Sequence, residues 1–156
     1  MSNLNDFPKL CVHTITTKPW SDEEAMDHYA AAGIGGITVW RQWLEGRDIE
    51  KTGQQSRERN LEIVSLCRGG FFPASDQFGL DAAIEDNRLA IREAAALGAP
   101  MIVLVCGAVP GQPLEESRKQ IADGIAAVLP PAAEHGIKPA HETLPPVYAD
   151  DRTPMK

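Results

Sequence analysis

The chain has 156 residues, enough for one domain with a real core and too few for two ordinary ones. Hydrophobic residues make up 43% and charged residues 24%, the balance of a folded globular protein and not of a disordered one. A net charge of −7 argues against a nucleic-acid surface, no apolar run reaches the length of a membrane span, and MSNLNDFPKL lacks the pattern of a signal peptide.

KLCVHTITT, residues Lys9 to Thr17, is rich in β-branched residues and reads as a first strand. SDEEAMDHYAAAG follows as a helix, with Ser21 and Glu24 forming a capping box and Gly33 the stop. GITVWR, Gly36 to Arg41, is a second strand, and a polar helical stretch runs on through Asn60. LEIVSLC, Leu61 to Cys67, is a third strand, followed by a long helix ending near Gly98 with Ile84, Ile91 and Ala95 on one face. MIVLVCG, Met101 to Gly107, is the most apolar run, as a strand covered on both faces should be. Pro113 opens a fourth helix in which Ile121, Ile125, Val128 and Leu129 recur at helical spacing. Pro130 and Pro131 are expected to kink or break that helix, and Ile137 to Glu142 reads as strand five.

This (βα)₄β order carries no hairpin signal and implies an α/β fold with a parallel sheet and right-handed crossovers. Two architectures fit it. An open doubly wound sheet is complete with five strands. A (β/α)₈ barrel of TIM type needs eight strands and typically about 250 residues. In both, chemistry collects at the C-terminal ends of the strands. His13 stands on strand one, Trp40 and Arg41 end strand two, Cys67-Arg68-Gly69-Gly70 ends strand three, and His141 and Glu142 stand on strand five.

Each of these has a functional and a structural reading. Arg68 with the Gly69-Gly70 backbone could meet an anionic substrate oxygen, or the glycines could simply make a turn that needs positive φ. Trp40 and Arg41 could be a wall and a charged hook, or loop packing. His13 could touch substrate or be a hydrogen-bonded structural histidine. Glu142 on a core strand needs a metal, a cation or a substrate if it is buried, and otherwise is a solvated strand-end carboxylate. Cys11, Cys67 and Cys106 sit in apolar runs without close pairing, so reduced, buried thiols in a cytoplasm are expected, and Cys67 lacks an indicated His partner for nucleophilic work. His28 and His135 are expected at the surface. GIGGIT, Gly33 to Thr38, is not a nucleotide loop, because it leaves a helix and enters a strand.

The strings LCVHTITTKPW, VWR, SLCRGG, EDNRLAIREAAALGAPMIVLV and HGIKPAHETLPPVYADDR together resemble the first half of xylose-isomerase-like barrels. That group includes sugar-phosphate isomerases and epimerases, hydroxypyruvate isomerases, inosose dehydratases and apurinic-site endonucleases. The acidic charge speaks against the last of these. The resemblance implies one partial barrel domain over residues 1–156, with four βα units and strand five, and without strands six to eight. It implies metal-dependent isomerisation or epimerisation of a sugar, sugar phosphate or related hydroxy-carbonyl compound. Glu142 would be metal ligand and proton-transfer group, and His13, Trp40, Arg41 and Arg68 would line a pocket for a small sugar-like substrate.

The intact family member would hold a divalent metal (Mn, Mg, Co or Zn) through Glu142 and three ligands from later strands. The isolated chain is therefore expected to be weak or inactive, and its unpaired edge strand invites self-association. Two departures from the family pattern stand out. Pro139 falls inside strand five, where it is expected to delete a ladder hydrogen bond, and Pro145 replaces a histidine common in relatives. Tyr148, Asp151 and Arg152 match the family segment. A self-pairing, non-catalytic half-barrel and a complete open-sheet binding protein are the alternatives.

Overall fold

The computed structural model describes residues 9–142. Five strands, β1 (Cys11–His13), β2 (Gly36–Trp40), β3 (Glu62–Gly70), β4 (Met101–Val105) and β5 (Lys138–Glu142), form one sheet in the order β1-β2-β3-β4-β5. Every pairing is parallel. Four helices connect them: α1 (Asp22–Ala31), α2 (Ile49–Glu58), α3 (Gln77–Leu97) and α4 (Leu114–Glu134). Strand order that follows chain order has no reversal, so the sheet lacks the switch point of a doubly wound fold. Right-handed crossovers then put all four helices on one face, and consecutive helices pack side by side. This is the winding of a (β/α)₈ barrel, present here as its first four βα units and fifth strand.

Strand alternation sorts the side chains. Ile37, Val39, Leu66, Ile102 and Leu104 face the helices and form the core with Met26, Ile91, Leu97 and Val128. Each of these nine is at most 2% exposed, so the core between the sheet and the helices is closed to water. The opposite, concave face carries smaller and more polar groups. Thr38 and Ser65 share a hydroxyl hydrogen bond of 3.0 Å there, and Cys11 Sγ lies 3.4 Å from Thr38 Oγ1.

The helix signals hold where a local rule sets them. The capping box forms, with the Glu24 N–H donating to Ser21 Oγ and the Ser21 N–H to Glu24 Oε2. Gly98 ends α3 at φ 84°. Asp48 and Asp76 cap α2 and α3 in the same manner, accepting from Lys51 and Gly79 N–H.

Other expectations shift. The first strand stops at His13, and Thr14–Thr17 turns as a short 3₁₀ segment. Helix α4 is not broken at Pro130 and Pro131 but continues to Glu134. The buried residues Val128 and Ala132 bracket the prolines, and their packing outweighs the missing donors. Leu129, on the same spacing, is exposed instead of core. Pro139 costs no bond to β4: Lys138 N–H donates to the Pro100 carbonyl, so by alternation the Pro139 nitrogen points to the sheet's outer edge. Cys11 is exposed, while Cys67 and Cys106 are buried.

Close approach of α4 to the loop after β3 depends on Gly124. A Cβ there would lie 2.2 Å from Cδ1 of the fully buried Phe72. Gly124→Ala is expected to lower stability by about 1–2 kcal/mol, overpacking outweighing alanine's better helix propensity. An unchanged or raised melting temperature would contradict this packing.

Candidate functional site

A cleft of about 610 Å³ opens on the concave face at the C-terminal ends of the strands. His13, Thr38, Trp40, Ser65, Cys67, Arg68 and Glu142 line it with two valines of β4. Four of the five residues expected from sequence thus converge: His13 from β1, Trp40 from β2, Arg68 from β3 and Glu142 from β5.

Trp40 is held from behind. Its backbone N–H donates to the hydroxyl of the buried Thr14 at 2.8 Å, and its ring lies 5.5 Å from that of His13. His13 Nδ1 accepts from the Ile15 N–H, so a neutral imidazole carries its proton on Nε2, as a donor. Burial pushes the pKa of His13 below its ordinary value, while the charge of Glu142 pulls the other way. Burial, with Glu142 adding to it, pushes the Cys67 thiol up to about 11, against the opposing pull of Arg68. The thiol is therefore protonated at neutral pH, a poor nucleophile. Glu142 is exposed, opposite Val105 of β4, so no burial penalty forces a partner on it.

Arg68 faces the cleft because β3 slips against β4. Cys67 lies opposite Val103 and Gly69 opposite Leu104, which makes Arg68 the extra residue of a bulge. Its guanidinium carbon sits 5.1 Å from the Trp40 ring centroid and 4.1 Å from that of Phe71. Gly70 serves the turn. Gly70 has φ 101°, and its N–H donates to Asn87 Oδ1, while the Phe71 N–H donates to the Val105 carbonyl.

Arg41 is the correction. It lines a separate groove on the helix side of the sheet, where Asp86 holds it at 2.7 and 2.9 Å and Glu93 at 2.5 Å. Burial opposes its charge, but Asp86 and Glu93 outweigh that and hold its pKa above the ordinary arginine value. Arg41 leaves the strand and opens a short 3₁₀ turn, Arg41–Leu44, at the end of β2. Arg41 is spent on fastening the end of β2 to α3.

Asn87, Thr38 and Ser65 were not singled out in the sequence. Thr38 and Ser65 stand two residues before Trp40 and Cys67, so strand parity would have found them. Asn87 falls on the same helical stripe as Ile84 and Ile91, and a polar residue in an apolar stripe was its signal. Pro145, Tyr148, Asp151 and Arg152 lie outside the described residues.

The described residues do not by themselves fit a divalent ion, since no three His, Cys, Asp or Glu side chains among them come together. Nor is any described helix long and apolar enough to cross a membrane.

Comparison with known proteins agrees with this geometry. A protein of Sinorhizobium meliloti is 40% identical, with a TM-score of 0.83, over 90% of this chain and 52% of its own. The IolI protein, solved with a zinc atom bound, is 20% identical with a TM-score of 0.72, over 85% of this chain and 50% of its own. D-allulose 3-epimerase from Methylomonas sp., in complex with D-allulose, is 22% identical with a TM-score of 0.70, over 86% of this chain and 51% of its own. This chain spans about half the length of these proteins. No curated protein matches it in sequence. The model of the xylose isomerase-like TIM barrel family matches residues 26–153, and the chain belongs to that family.

Proposed function

We propose that this chain carries the N-terminal half of a sugar isomerase or epimerase site, with Glu142 moving the proton next to a carbonyl. The convergence of His13, Trp40, Arg68 and Glu142 on one cleft carries this reading. A carboxylate at that rim can take a proton from the carbon beside a substrate carbonyl; the C–H electron pair forms a C=C bond to the carbonyl carbon, and the C=O π pair moves onto oxygen to give an enediolate. Returning the proton to the neighbouring carbon gives an isomer, and to the opposite face an epimer. The enediolate needs positive charge or donors; the His13 Nε2–H donates, and Arg68 adds positive charge nearby. Trp40 offers an apolar face for a sugar ring.

A divalent cation in the intact enzyme, manganese, magnesium, cobalt or zinc, belongs to the same proposal, with Glu142 as one ligand. Its remaining donors would come from outside the described residues. Weak turnover is therefore expected of this chain alone.

The test is hydrogen exchange. In D₂O, the chain with D-fructose should lose the proton at the carbon next to the carbonyl slowly, as followed by NMR, and Glu142→Gln should abolish that loss with the melt unchanged. Equal exchange by both proteins, or neither exchange nor a ketose-dependent change in tryptophan fluorescence, would remove the reading.

Among the described residues β1 and β5 leave open edges, which favours a second reading, a half-barrel that pairs with another copy. Pro139 works against it by removing a donor from the outer edge of β5. Sedimentation would decide, since pairing requires a mass that doubles with concentration.

A further inference from the structure

We infer that the groove beside the main cleft is a subsite for an anionic tail, so that the sugar ligand of this chain carries a phosphate or a carboxylate. This rests on the reading of the main cleft as a sugar site, and it names the substrate class that site would take. The groove, about 370 Å³, is bounded by Thr14, Lys18, Trp40, Gln42, Trp43 and Arg68. It shares Trp40 and Arg68 with the cleft that holds Glu142, so one ligand can span both.

Its lining differs from that of the grooves around Arg41 and Arg47, which contain acids. Arg41, Arg47, Arg59, Arg88 and Arg118 each hold a carboxylate within hydrogen-bond distance. In the groove two cations, Lys18 and Arg68, face the same space, and no Asp or Glu among the described residues lines it. In a protein of net charge −7, two cations sharing a groove without an acid leave positive potential there for a ligand.

Arg68 adds an independent observation. Its Nε is buried and has no hydrogen-bond partner among the described residues. Packing on Trp40 and Phe71 covers the guanidinium face and Nε is buried, which leaves the terminal Nη1 and Nη2 edge for recognition. A planar oxyanion or a phosphate fits that edge with two donors, and Lys18 supplies a point charge on the same side. Gln42 can donate to a third oxygen. A neutral hexose would leave these donors with nothing stronger than water.

Affinities measured by tryptophan fluorescence at fixed ionic strength test this, with D-fructose, D-fructose 6-phosphate, D-glucuronate and inorganic phosphate as probes. The charged sugars are expected to bind at least tenfold tighter than D-fructose, and inorganic phosphate to displace D-fructose 6-phosphate. The tighter of the two charged sugars tells phosphate from carboxylate. Lys18→Met should weaken D-fructose 6-phosphate about tenfold, whereas Lys119→Met, on the exposed face of α4, should not. Equal affinities for the neutral and charged sugars, equal effects of the two lysine variants, or binding of none of the four probes would overturn the subsite. If exchange fails to depend on Glu142 while the anion preference and the Lys18 effect persist, the catalytic reading falls and the subsite stands. If exchange depends on Glu142 but charge makes no difference to affinity, the subsite falls alone.

Discussion

Asn87→Leu is expected to cost about 2–4 kcal/mol of stability, the largest effect of any single exchange outside the apolar core. Asn87 is fully buried in the middle of α3. Its Oδ1 accepts from the Gly70 N–H at 2.5 Å, and its Nδ2 donates to the carbonyls of Gly70 and Ala83 at 2.8 Å each. Leucine has nearly the same volume and none of these bonds, so the N–H and C=O of Gly70 would lose their partner in a dry site. The packing leaves no room to adjust, since a Cβ on Gly69 would already lie 2.5 Å from Asn87 Oδ1. For a domain of this size the loss corresponds to a melting temperature lower by roughly 4–16 °C. Because Gly70 follows Arg68 by two residues, sugar-phosphate affinity should fall as well. A thermal melt within a degree or two of the wild type would show that Asn87 does not clamp the end of β3.

Arg41→Met separates the two strand-end arginines. Asp86 is more than half exposed, so its bond contributes little once solvent screening is counted. Glu93, 20% exposed beside an Arg41 that is 16% exposed, is the costly partner to strand. The expected loss is about 1–2 kcal/mol, with sugar-phosphate affinity unchanged. Adding Glu93→Gln should recover part of it, because the second exchange removes the orphaned charge. Weakened ligand binding with an unaltered melt would return Arg41 to the site and refute its placement on the helix side.

These two residues mark the boundary between what could be read from the sequence and what could not. Helix caps at Ser21 and Gly98, the strand-helix alternation and the gathering of polar residues at strand ends all obey rules that act within a few residues. They were legible because backbone hydrogen bonding and hydrophobic period are local. The direction of Arg41 was nearly legible, since in a regular strand the residue after an inward Trp40 points outward. Arg68 breaks that parity through a bulge, and a bulge is fixed by pairing with β4, more than thirty residues further along the chain.

The sequence by itself determined an α/β chain of five strands and four helices, its acidic character, and the candidates His13, Trp40, Arg68 and Glu142. Tertiary structure alone decided between the open sheet and the barrel winding, because strand order depends on which edges meet and not on any strand's own pattern. It also decided that Asn87 clamps Gly70, that α4 continues through two prolines, and that Arg41 and Arg68 face opposite sides of the sheet. Each of these outcomes balances a local preference against contacts between residues distant in sequence, and packing won each one.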